Sequence, residues 1–147
     1  MQFNFTDVVS SPPAAVFSLI ASIDRKHEWV SEVVASRQIS DGPVGVGTVF
    51  EDTVNFMGRT SVIPTRFVEY VPNRKIMYRH LGGPVRADLS YEITPVPSGT
   101  QLTVAIDARL PWYLAPITPL VKGRMARQMD GNFAALKALL AATVHDE

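Results

Sequence analysis

Asp52 and His80 are the two residues best suited to chemistry, because each falls on the apolar side of a strand-like segment. Around Asp52, alternate positions carry Phe50, Val54 and Phe56; around His80 they carry Ile76 and Tyr78. A carboxyl group on a buried face is pushed toward its neutral form unless a cation holds it ionised. An imidazole titrates near neutrality. Both groups can therefore move protons, and His80 and Asp52 are the catalytic candidates. Strand spacing puts them roughly 10 Å apart, too far for a direct hydrogen bond but suitable for bracketing the polar groups of a ligand. Tyr78, Tyr91 and Thr65 share the face with hydroxyls that pair easily, and Tyr78 or Tyr91 could polarise a carbonyl. The plainer alternatives are a salt bridge from Asp52 to an arginine, or a bulge that turns it outward, and a half-solvated position for His80 beside Gly82-Gly83. Glu69 has the same parity but lies near a strand end, where solvation is expected.

Other chemistries fail on residue type. The chain has no cysteine, which removes thiol catalysis, disulfides and cysteine-type zinc sites. His27, His80 and His145 show no metal-ligand spacing, so no metal site is expected. No Gly-x-Ser-x-Gly elbow occurs. The glycine-rich stretch Gly42–Gly47 lacks the Lys-Ser/Thr of a phosphate loop and opens onto a strand. No cofactor is expected.

Acidic and basic residues balance at 14 each in 147 residues. That argues against nucleic acid or anionic membrane as a partner of the chain as a whole, a local patch apart. No apolar run approaches the ~20 residues of a membrane span, and MQFNFTDVVSS lacks the basic and apolar regions of a signal peptide. The expectation is one cytoplasmic domain, monomeric or homodimeric, without integral membrane association.

The elements that must position these residues follow from spacing. Gln2–Val9 reads as a strand. Ser10-Ser11 before Pro12-Pro13 reads as a capped helix start, with Val16, Phe17, Leu19 and Ile20 on the helix. Ser22 or Asp24 is expected to cap a second short helix through Trp29. Strands follow at 32–39, 48–56, 60–71, 75–81, 85–94 and 100–109, divided by Gly- and Pro-rich turns. Pro111 and Pro116 lead into a long amphipathic helix from Pro116 to Val144, with Leu120, Val121, Met125, Met129, Phe133, Leu136 and Leu140 at helical spacing. Hairpin turns at Met57-Gly58 and Pro72-Asn73 pair Phe56 with Arg59 and Phe67 with Tyr78, and Ile93 is expected opposite Leu102. One mostly apolar face results, running through Val85 and Leu89 to Val104. Arg66, Arg79, Asp88 and Asp107 fall on the other. Pro64 implies an irregularity in its strand.

A curved sheet seldom closes on a single helix, so a cavity between them is expected. Phe50, Val54, Thr65, Phe67, Tyr78, Leu89, Tyr91, Val104, Met125, Met129 and Phe133 would line it. Trp112, with Tyr113, would gate its mouth or anchor the turn.

The whole chain resembles the START-like, or SRPBCC, superfamily, and within it the polyketide cyclase/dehydrase and lipid-transport group. The resemblance rests on Ser11–Phe17, Asp24–Trp29, Gly45–Phe50, Val68–Arg79 and the terminal helix with Phe133, Leu136 and Lys137. It implies an α+β helix-grip fold: a seven-stranded antiparallel sheet wrapped around a long C-terminal helix, with two short helices after the first strand. It implies a hydrophobic small-molecule ligand, lipid or polyketide-like, and supplies no catalytic motif to carry over. One alternative is a polyketide cyclase or dehydratase acting in the same cavity. Another is an antitoxin-like protein-interaction module with a filled core.

Overall fold

Alternation of apolar and polar residues builds the sheet, and two local irregularities shape it. The computed structural model describes residues 2–56, 58–82, 86–109 and 112–145. Met57, Gly83, Val85 and Pro111, which figure in the sequence reading, lie outside the described residues. The element order is β1 (Gln2–Val9), α1 (Pro13–Ala21), a 3₁₀ turn (Lys26–Glu28), β2 (Val33–Gln38), β3 (Val49–Phe56), β4 (Arg59–Val71), β5 (Lys75–His80), β6 (Arg86–Val96), β7 (Gly99–Arg109), a second 3₁₀ segment (Trp112–Ile117) and α2 (Thr118–His145). All neighbouring strands are antiparallel, in the order β1-β7-β6-β5-β4-β3-β2. This is an open seven-stranded sheet with one long helix, the α+β helix-grip arrangement.

The expected registers are present: Phe56 opposite Arg59, Phe67 opposite Tyr78 and Ile93 opposite Leu102. The second holds for an unexpected reason. The β4–β5 turn pairs Val71 with Lys75 and so has three residues, with Asn73 at φ +63°. Asparagine tolerates that left-handed conformation better than most residues. A bulge at Val68 adds one residue to β4, and the two offsets cancel at Phe67. Beyond the bulge the faces exchange. Tyr70 turns inward, edge-on to Phe17 at 5.3 Å, and Glu69 turns outward to pair with Lys75 at 2.9 Å.

Pro64 causes no irregularity. It pairs in register with Glu51, and its carbonyl accepts from Leu81 N at 2.7 Å. In an antiparallel ladder the N–H and C=O of one residue point the same way. The donor that Pro64 lacks therefore faces the end of β5, where the ladder stops.

The expected serine caps are also absent. Pro12 caps α1 without a side-chain hydrogen bond and Pro13 occupies the first turn. Ser11 is buried instead, its carbonyl accepting from Thr100 Oγ1 at 2.6 Å. This contact holds the β6–β7 turn against the start of α1. It also explains Gly99 at φ +140°, because a Cβ there would collide with the Val9 carbonyl. Arg25 caps the short 3₁₀ turn without a side-chain bond, and Ser22 Oγ donates to Asp24 at 3.0 Å.

The second half of α2 closes one part of the grip. Met129, Phe133, Leu136 and Leu140 are buried in the same cluster as Phe3, Leu102 and Val104. Lys137 Nζ ties the helix to Asp7 of β1 at 2.7 Å. The first half is looser. Val121 and Met125 are only partly buried, as are Val54 and Leu89 on the sheet. Leu120, expected on the core stripe, is 74% exposed. It lies half a turn from Met129, which contacts the sheet, so the helical period turns it outward.

Candidate functional site

The site grows from a charge buried beneath the 3₁₀ turn. Asp52, on the concave face of β3, is 3% exposed and Lys26 is 7% exposed. Lys26 Nζ is ion-paired to Asp52 Oδ2, and Ser36 Oγ donates to Asp52 Oδ1 at 2.6 Å. Burying a carboxylate without such partners would be prohibitive. The 3₁₀ turn aims the lysine inward, and the β2–β3 register places Ser36 directly opposite Asp52.

Aromatic rings complete the cage. Lys26 Nζ lies 4.2 Å from the Tyr78 ring centroid and 5.1 Å from that of Phe50, within cation–π range. Tyr78 and Tyr91 share a hydroxyl–hydroxyl hydrogen bond of 3.0 Å. Burial pushes both phenol pKa values upward, so both stay protonated at physiological pH. They can donate or accept hydrogen bonds but do not serve as phenolate bases. Trp29 packs edge-on to Tyr91 at 5.9 Å, and its buried Nε1–H has no hydrogen-bond acceptor among the described residues. Burial also raises the Glu32 pKa, a shift partly opposed by Lys26 and Arg124.

Two spaces meet at this cage. The inner one, about 10 Å³, is bounded by Ile20–Ile23, Lys26, Trp29, Phe50, Phe67 and Tyr78. That is close to the room one water needs. The outer one is an open cleft of about 780 Å³ between α1, β2, the β2–β3 loop and the β4–β5 turn. Phe17, Ile23, Val44 and Tyr70 give it apolar walls; Ser18, Ser36, Gln38 and Asn73 add polar groups. Ala21, Ser22 and Ile23 border both spaces. Ser36 faces the cleft and is one hydrogen bond from the Asp52–Lys26 pair.

The description "Polyketide cyclase / dehydrase and lipid transport" matches residues 2–141. The chain belongs to this family. No match to a curated protein sequence reaches significance. Among solved structures, the chain is similar to a START superfamily protein from Mycobacterium smegmatis, with a TM-score of 0.83 and 17% identity over 97% of this chain and 98% of that one. It is also similar to protein TTHA0849 from Thermus thermophilus, with a TM-score of 0.82 and 16% identity over 97% and 99%. The Zhui aromatase/cyclase from a Streptomyces species gives a TM-score of 0.80 at 15% identity over 98% and 95%. At these identities the structures establish the fold alone. Membership of the polyketide cyclase/dehydrase and lipid transport family agrees with a ligand-binding or cyclase role and leaves the ligand open.

Against this family frame, the expected site residues separate into groups. Phe50, Phe67 and Tyr78 border the inner space, with Tyr91 behind Tyr78. Thr65 is fully buried, its hydroxyl 3.3 Å from the Ile63 carbonyl of its own strand. Val104, Met129 and Phe133 belong to the packed core. Val54 and Leu89 on the sheet and Met125 on α2 are partly buried against the core. Trp112 is 87% exposed and so does not fold over a mouth. Asp52 has both carboxylate oxygens engaged by Lys26 and Ser36, and its cation is a lysine where an arginine was considered. His80 sits at the end of β5, with its ring centroid 6.3 Å from that of Tyr78.

Lys26, Ser36 and Trp29 are the residues the sequence reading missed. Lys26 sits in the polar run Asp24–Glu28, read as part of a short helix with no inward side assigned. The available signal was Asp52 itself, since a carboxylate on an apolar face requires a cation. No described helix is long and apolar enough to cross a membrane, and no described cluster of three or more His, Cys, Asp or Glu could hold a metal.

Proposed function

We propose that the protein binds a small amphipathic molecule, with its apolar body in the cleft beside α1 and its polar group directed toward Ser36 and the Lys26–Asp52 pair. The observation that carries this reading is the shared wall, Ala21–Ser22–Ile23, between a cleft of about 780 Å³ and the caged lysine. That volume lies within the ordinary range for small-molecule sites. Phe17, Ile23, Val44 and Tyr70 supply apolar contact, worth ~25 cal/mol per Å² buried. Ser36 and the unpaired Trp29 Nε1–H supply orientation. The family match supports a lipid or polyketide-like ligand class. On this reading the ligand lies beside α1, while the second half of α2 contributes to the packed core.

A cyclase or dehydratase reading is favoured by one feature, the protonated Tyr78–Tyr91 pair beside Lys26. Donation from Tyr78 to a carbonyl would polarise it, Lys26 would stabilise the developing enolate, and Asp52 or His80 would move the proton. His80→Gln and Asp52→Asn both retaining full turnover would remove those two from the scheme.

Native mass spectrometry of freshly purified protein, followed by solvent extraction, tests the binding reading. A stoichiometric apolar adduct, reduced in Ile23→Trp where the bulky ring fills the shared wall, is the expected result. A clean mass with no uptake of added fatty acid or aromatic polyketone would contradict it and favour an interaction module.

A further inference from the structure

The outward side of the start of α2, with the 3₁₀ segment before it, carries apolar side chains that the fold does not bury. Trp112 is 87% exposed, Leu120 74%, Tyr113 64% and Ile117 41%. Single exposed apolar residues are ordinary, but four large ones within nine positions form a patch that calls for a partner. Helical spacing places Leu120 with Arg124 and Arg127, at i, i+4 and i+7, opposite the side that packs on the sheet. A rotamer change therefore cannot return Leu120 to the core.

The charge along this segment is mainly positive, with Asp107 and Asp130 flanking it. From residue 108 to residue 129 there is no Asp or Glu, while Arg109, Lys122, Arg124 and Arg127 are all exposed. Glu32, on the loop before β2, lies near Arg124. A chain with no net charge thus concentrates positive charge beside its exposed aromatics.

We propose that this segment is a docking surface for an anionic lipid bilayer. Trp112 and Tyr113 would sit at headgroup level, where amphipathic rings are favoured. Ile117 and Leu120 would enter the acyl boundary, and Arg124 and Arg127 would meet lipid phosphates. A second copy of the chain is the poorer partner. A two-fold contact would set this positive patch against itself. The inference is independent of what the cleft binds, since it requires no ligand.

Vesicle flotation of the full chain tests it, comparing pure phosphatidylcholine with the same lipid containing about 30% phosphatidylglycerol, an anionic surface that attracts basic residues. The protein should float with the anionic vesicles, remain behind with the neutral ones, and release as salt is raised. Leu120→Asp should abolish flotation, and Arg127→Gln should weaken it roughly fivefold. Trp112→Ala should also weaken it, and all three variants should keep the wild-type circular dichroism because these side chains are exposed. Wild-type Trp emission should shift to the blue on binding, with Trp29 already buried. Failure to float with anionic vesicles would overturn the proposal, as would Leu120→Asp floating like wild type. A wild-type dimer in sedimentation that Leu120→Asp dissociates would also overturn it, by assigning the patch to self-association.

Discussion

The two ends of the grip are built on different physics. The second half of α2 buries Met129, Phe133, Leu136 and Leu140 in the apolar core that also holds Phe3, Leu102 and Val104, and its buried Asn132 Oδ1 accepts from Ser31 N at 3.0 Å. At the α1–3₁₀ junction the interior instead contains a lysine, a carboxylate, two phenols and an indole N–H, beside an open cleft. Apolar side chains can slide together until no space remains. Buried charges need fixed partners, here Lys26 and Ser36 on Asp52. Apolar packing thus dominates one end, and polar and charged groups gather at the other.

Substitutions can break this contrast. The largest effect is expected for Lys26→Met, which strands Asp52 as a buried charge and should cost about 3–5 kcal/mol in urea unfolding. Lys26→Met combined with Asp52→Leu removes both charges and should restore most of that loss. A double variant as unstable as the single would show that the pair is not the organising element of this end. Next, Leu136→Ala in the closed half should cost about 2–5 kcal/mol, and Met125→Ala in the looser half should cost clearly less. Equal losses would erase the distinction between the halves of α2. The smallest effect belongs to the half-exposed Asp7–Lys137 pair. Its hydrogen bond lowers the Asp7 pKa below the usual 3.8. The folded state therefore binds the proton less readily, and the contribution is present above about pH 4 and fades as pH falls through the lowered pKa. Asp7→Asn should cost only ~0.2–1 kcal/mol at neutral pH, and the difference should vanish in acid.

The closed end was legible in the sequence because its logic is periodic. Alternation gave the faces of β3–β7 except for β4 beyond Phe67, and helical spacing brought Met129, Phe133 and Leu136 to one stripe. Leu120 was misplaced on that stripe because it lies one residue from Val121, and a short apolar run hides which member turns away. The bulge at Val68 was illegible since its extra residue was offset by the three-residue turn at Asn73, leaving the Phe67–Tyr78 pair where a simpler hairpin would have put it. The open end was legible only in part. Asp52 announced a buried charge, yet its partner Lys26 stands on a three-residue turn with no periodicity to assign its direction. Ser36 becomes visible only once β2 is paired with β3.

Amide and methyl shift mapping with 2-naphthol, a neutral aromatic probe bearing one hydroxyl, tests most directly whether the ligand site lies at the open end. The account predicts saturable shifts at Ala21–Ile23, Ser36 and Tyr70, with Leu136 and Leu140 unchanged. Shifts confined to Val54, Leu89, Val121 and Met125, with the α1 cleft silent, would contradict it and place the ligand beneath the first half of α2.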